Sequence, residues 1–190
     1  MRVRDDKKQV ALYRATIKLV NEIGFEASSV SKIAREAEVS PATLYIYFKN
    51  KQDLIISTYI DIKKNMSQAI LDDLDETKPV RDVLQQVWRN MFTYVSTNKE
   101  DFRFTEQFSN SPYHASVNKQ ELEKHFEPIV RVIKRGIEHK IIKDVSFTLL
   151  TAFMFHPIMV LANPNLCSDF ELNNESIDAS FQLAWDAIRL

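Results

Sequence analysis

The spacing of apolar residues makes the chain helical over most of its length. Leu12, Ala15, Thr16, Leu19, Val20 and Ile23 recur at i, i+3, i+4, i+7, i+8 and i+11, one stripe of a 3.6-residue period, and Gly24 can end that helix as its C′ residue. Ser28 or Ser29 then caps a short second helix whose Val30, Ile33, Ala34 and Ala37 face one way. After Glu38 and Val39, Ser40 stands as N-cap with Pro41 at the first helical position, where its missing N–H costs nothing, and Leu44 and Phe48 point inward. Asn50 caps a fourth helix with Asp53 in its first turn, predicted to run from Lys51 to about Leu74. Two short helices with a three-residue turn between them make a helix-turn-helix. Further helices are predicted at about 80–97, 118–139, 145–162 and 175–189, with a short one around 100–109. Lys78-Pro79, Asn110-Ser111-Pro112 and Asn163-Pro164-Asn165 interrupt them. The expected fold is all-α: a three-helix head over residues 1–52, joined by a long helix to a helical bundle within 53–190.

Composition narrows the chemistry. The 190 residues include two glycines, Gly24 and Gly136, where average usage of about 7% would give about 13. Dinucleotide fingerprints, phosphate loops and nucleophile elbows each need several glycines at fixed offsets, so none can be built here. Hydrophobic residues at 45% and charged ones at 27% suit a globular chain with a core. One cysteine, Cys167, excludes an internal disulfide and fits a reducing cytoplasm. The longest apolar stretch, Phe147 to Ala162, is broken by His156 and Pro157 and falls short of the roughly 20 residues that span a bilayer, so it reads as a buried helix and no membrane partner is expected. The N-terminal MRVRDDKKQV has no apolar run behind it and carries no expectation of a secretory signal.

The net charge of −1 hides an asymmetry, because residues 1–52 carry ten Lys/Arg against six Asp/Glu while the remainder carries fifteen against twenty. A basic head on an acidic body suits a polyanion at the head. The order Ala15 to Val20, Glu22, Gly24-Phe25, Ser29-Val30, Ile33-Ala34, Ala37, Val39-Ser40, Thr43-Leu44-Tyr45, Tyr47-Phe48, Lys51 and Leu54, within residues 10–56, resembles the DNA-binding head of the TetR family of bacterial transcriptional regulators. One departure is Glu38, where the family usually has Gly in the turn; a positive φ there would strain a non-Gly residue by about 1 kcal/mol.

In a helix-turn-helix the second helix enters the major groove with its N-terminal residues at base edges. Ser40, Pro41, Ala42 and Thr43 hold that position, the hydroxyls able to bond bases or phosphates and Ala42 offering a methyl to thymine. Tyr45 and Tyr47, two apart, cannot easily both face a core, and the resemblance implies that their hydroxyls contact phosphates. Lys51 opposes the dipole of the helix it opens, a conflict that a phosphate resolves. Whichever of the Ser28 and Ser29 hydroxyls does not cap, with nearby N–H groups, could hold another phosphate. Arg2, Arg4, Lys7 and Lys8 form a basic arm able to follow the backbone or a minor groove, or else a solvated tail.

Beyond the head, no catalytic or metal pattern emerges. His114, His125, His139 and His156 lack ligand spacing, Glu121 with His125 is a common helical pair, and Cys167 has no identifiable base, so neither enzyme activity, metal nor cofactor is expected. The resemblance implies an effector cavity in the bundle, and its large apolar residues suit a largely apolar small molecule; Trp88, Met91, Phe92, Phe108, Phe126, Phe153 and His156 are the candidates to line it. The last two long helices are expected to form a homodimer through Phe181, Trp185 and Ile188, setting the recognition helices about 34–36 Å apart on an inverted-repeat operator. The expected function is a cytoplasmic regulator that binds double-stranded DNA, most simply a repressor released by its effector. An activator, or an interaction module of the same fold without DNA binding, is the alternative.

Overall fold

Helix ends set by local chemistry define the architecture of residues 6–190, which the computed structural model describes. The helices are α1 (Asp6–Ala27), α2 (Val30–Glu36), α3 (Pro41–Tyr47), α4 (Lys51–Ile70), α5 (Val80–Thr97), α6 (Lys99–Ser109), α7 (Lys119–Glu123), α8 (Glu127–Glu138), α9 (Phe147–Met154), α10 (His156–Leu161) and α11 (Asn174–Ile188), with a 3-10 turn at Pro112–Ser116. The all-α expectation holds; among the described residues the only extended pairing is an isolated bridge between Ile142 and Arg189.

The predicted caps are in place. Ser29 Oγ accepts from Lys32 N at 3.3 Å, and Ser40 Oγ accepts from Thr43 N at 3.1 Å with Pro41 following it. Asn50 Oδ1 accepts from Asp53 N at 2.8 Å while Asp53 Oδ2 accepts from Lys49 N at 2.8 Å, a reciprocal pair that satisfies two N–H groups at the start of α4. Gly24 takes φ 76° and ψ 171° inside α1, a conformation that only Gly adopts without strain, and the helical path resumes for one short turn after it. Proline splits two predicted helices. Residues 118–139 divide into α7, a 3-10 turn and α8 ahead of Pro128, and residues 145–162 divide at Phe155, just before Pro157, into α9 and α10. The fourth helix ends at Ile70, not Leu74, and Asp73 beyond it has a positive φ of 53°.

The chain forms two compact units: one runs to Lys64 and includes Asn98–Leu122, the other comprises Asn65–Thr97 and Glu123–Leu190. The boundary predicted between residues 52 and 53 thus falls inside the first unit, because α6 and the 3-10 turn pack with the head. Two apolar clusters build this unit. Leu12, Ala15, Ile33, Ala34, Leu44, Phe48 and Leu54 fill the helix-turn-helix, and Ile17, Val20, Ile55, Tyr59, Ile62, Phe104 and Phe108 fill the side where α6 packs on α1. With two flanks to cover, α1 buries Ile17 and leaves Ile23, assigned to the buried stripe by its spacing, 42% exposed.

In the second unit the core comprises Trp88, Phe92, Val132, Met154, Phe181 and Trp185 with their neighbours. Gly136 belongs to this core: a Cβ there would lie 2.6 Å from Ile142 Cδ1 and 3.1 Å from Val80 Cγ1, so a larger residue would force the Ile142 side chain to shift. Arg89 binds Asp178 through Nε at 3.0 Å and through Nη2, a fork that joins α5 to α11 and holds the Asp178 carboxyl below its ordinary pKa. Arg131 grips Glu76 in the same way, and Arg135 caps the carbonyls of Glu76 and Lys78.

Candidate nucleic-acid interface

The helix-turn-helix turns on the residue that departs from the family pattern. Glu38 has φ 55°, the left-handed conformation that the sequence raised as a condition. Behind it, Val39 N donates to Ala34 O at 2.9 Å and closes the turn. Leu44, fully buried, anchors α3 in the head core, and Pro41 and Ala42 are exposed. Ser40 Oγ and Thr43 Oγ1 lie 2.9 Å apart in a hydrogen bond, so the two hydroxyls are oriented together at the N-terminus of α3.

The two tyrosines differ. Tyr45 is 55% exposed, whereas the Tyr47 ring is partly buried against the head core with Phe48 at 6.3 Å. Lys51 Nζ donates to Glu26 O at 3.2 Å, and partial burial lowers its pKa despite the Glu26 carboxylate nearby. Lys32 Nζ donates to Ala27 O at 3.0 Å, so two ammonium groups meet the last two carbonyls of α1. Sequence reasoning passed over Lys32; its place three residues after the cap was the signal. Of the serine pair, Ser29 is the exposed cap. Ser28 is corrected: its hydroxyl is fully buried and donates to Gly24 O at 2.7 Å, which closes the turn and leaves nothing to offer a phosphate. Lys7 and Lys8 are exposed on the first turn of α1, and Arg2 and Arg4 lie outside the described residues.

The body residues expected to line one cavity are divided between the two units, and those of the second unit lie in a packed core or on the surface. Trp88, Met91 and Phe92 are packed in the core of the second unit with Phe126 against it, Phe108 belongs to the aromatic cluster of the first unit, and Phe153 (58% exposed) and His156 lie on the surface. The Trp88 indole N–H, wholly buried, has no acceptor among the described residues; the Phe92 and Phe181 rings stand 5.9 Å from the Trp88 ring, centroid to centroid. The expected dimer residues are also corrected. Phe181, Trp185 and Ile188 are at most 5% exposed because they fill the protomer's own core, where Arg81 lies over the Phe181 ring. The opposite row of α11 carries exposed Ala179, Leu183 (75%) and Ala187. On α9, which packs against α11, Leu149 and Phe153 are exposed one turn apart.

Among the described residues no helix is long and apolar enough to cross a membrane. Residues 12–58 match the family model for bacterial regulatory proteins of the tetR family, and residues 79–189 match the model for the tetracyclin repressor-like C-terminal domain. A TetR family transcription regulator from Marinobacter aquaeolei VT8 is 35% identical with a TM-score of 0.89, the alignment covering 100% of this chain and 99% of that one. An uncharacterized HTH-type transcriptional regulator of Haemophilus influenzae is 25% identical over 94% of each chain. The regulator FadR from Bacillus subtilis, solved in complex with stearoyl-CoA, shares the fold at a TM-score of 0.74 and 22% identity, covering 94% of this chain and 97% of that one. The C-terminal match spans more than half of the chain, and with the helix-turn-helix geometry it places this protein in the TetR family of DNA-binding transcriptional regulators.

Proposed function

We propose that the protein is a homodimeric repressor that holds an inverted-repeat operator through α3 and leaves it when a small, largely apolar effector binds. The observation that carries the reading is the outer face of α3: a capped N-terminus with exposed Pro41, Ala42 and Tyr45 on a helix pinned from behind by Leu44. Entering the major groove by that end, the helix brings Ser40, Pro41, Ala42 and Thr43 to base edges. Tyr45, Tyr47, Ser29 and Lys51 take phosphates. Lys51 then exchanges the Glu26 carbonyl for a charged oxygen, a stronger acceptor for an ammonium.

A second copy docks through the exposed apolar rows of α9 and α11, Leu149 with Phe153 and Ala179 with Leu183 and Ala187. Stearoyl-CoA on the Bacillus subtilis regulator supports an effector with a long apolar part.

The test is to select bound fragments from genomic DNA with the full chain, then measure affinity against salt for wild type and Lys51→Ala. A steep negative slope of log K on log salt is expected, and the variant should bind every duplex more weakly with a slope smaller by about 1. Salt-independent binding, or a Lys51→Ala variant indistinguishable from wild type, would overturn this reading of the head.

A further inference from the structure

Lys32 and Lys51 stand in the first turns of α2 and α4, where the helix dipole disfavours a cation. Both side chains turn back to the opposite end of a third helix. Lys32 Nζ donates to Ala27 O at 3.0 Å and Lys51 Nζ to Glu26 O at 3.2 Å, the last two carbonyls of α1, whose own last turn has no basic residue. Without DNA the two lysines therefore serve as the C-terminal cations that α1 lacks.

Capping does not account for the whole arrangement. Ala27 O does not depend on Lys32, because Ser29 N donates to it as well, at 3.1 Å. Two ammoniums on consecutive carbonyls repel each other. Among the described residues neither forms an ion pair, and the Glu26 carboxylate acts on Lys51 only at longer range. Lys18, in the same unit, differs: its ammonium is neutralised by Glu36 at 2.5 Å. Lys32 is exposed, and its ammonium lies beside Lys51 and follows the exposed Ser29 cap, the two groups that face phosphates in the function above.

We propose that Lys32 is a further DNA-binding residue of the head, taking a backbone phosphate next to the one held by Lys51, so that each ammonium leaves a neutral carbonyl of α1 for a charged oxygen. The inference rests on the operator-binding half of the function above and adds a charge from α2 to the contacts of α3 and α4. The exchange is favourable because an anionic acceptor binds an ammonium more strongly than a peptide carbonyl does, and a phosphate beside each ammonium relieves their repulsion. A phosphate contact carries no base identity, so Lys32 raises affinity for every duplex alike.

Fluorescence anisotropy across a salt series tests this, with the full chain, the tightest fragment from the genomic selection and a random duplex of the same length. Lys32→Gln keeps an N–H donor for Ala27 O and drops the charge, which separates capping from phosphate binding. It should weaken both duplexes about fivefold at about 0.15 M salt and lower the slope of log K on log salt by about 1, as the loss of one phosphate does. Lys32→Arg, with its charge kept, should retain the wild-type slope. A thermal melt of each variant without DNA reports on the cap. A Lys32→Gln variant that melts lower yet keeps the wild-type slope would make Lys32 a cap alone and overturn the proposal, as would a slope lost equally in Lys32→Arg. A flat slope in the wild type overturns the operator reading itself, whereas a steep one left unchanged by Lys32→Gln removes only Lys32.

Discussion

The helix-turn-helix and the C-terminal unit are both helical, yet they are specified differently. Between residues 28 and 53 each helix start is fixed by a side chain acting on its own neighbourhood: Ser29, Ser40 with Pro41, and Asn50 with Asp53. The helices there are seven residues long, too short to be held by propensity, so caps and one buried residue per turn decide their position. In the second unit α9 and α11 keep such caps, Ser146 and Asn173, but α8 and α10 have no side-chain cap hydrogen bond, and the long rows of α5, α8 and α11 are held by what they bury. A surface that must fit a duplex of fixed dimensions is set by local chemistry. The interior of the C-terminal unit leans more on packing.

That contrast predicts where substitutions hurt. Trp88→Ala should cost about 3–5 kcal/mol, the range for emptying a large buried site, seen as a lower urea midpoint. Hydrogen exchange should show the loss of protection concentrated in 65–97 and 123–190, with α2 and α3 spared. Equal loss in both units would erase the distinction. Trp88→Phe should cost clearly less, since it keeps the ring and removes a buried N–H that has no acceptor. Ser40→Ala removes a cap worth about 1 kcal/mol and should lower thermal stability little while weakening operator binding, because the start of α3 frays and a hydroxyl proposed to face the bases is lost. An unaltered operator affinity in that variant would mean that packing, not capping, positions α3. The smallest effect runs in the other direction. Glu38→Gly relieves a left-handed strain of about 1–2 kcal/mol against an added chain-entropy cost of roughly 0.5–1 kcal/mol, for a net stabilisation of about 0.5 kcal/mol, seen as a slightly higher urea midpoint.

Legibility in the sequence followed the same division. The caps, Pro41 and the need for a special conformation at Gly24 were readable because each is decided within a few residues. Ile23 was misplaced because a helical period identifies a stripe but not which neighbour covers which turn, and α6 covers Ile17 and Val20 instead. Phe181, Trp185 and Ile188 form a row that suits an interface or a core equally well. What settles it is α5, about a hundred residues earlier, whose Trp88 packs edge-on to Phe181.

The packing of Phe25 against Phe104, Phe108 and Tyr113 bears on exchanging parts between regulators. A chimera cut after residue 52 would graft a recognition surface but leave behind the segment 98–122, which walls one side of Ile17, Val20 and Phe25. The transplanted head would then meet a foreign partner across that seam, and specificity could move intact while stability did not. The transferable piece is discontinuous in sequence, so a working hybrid has to carry two stretches of this chain, the first through α4 and the second containing α6.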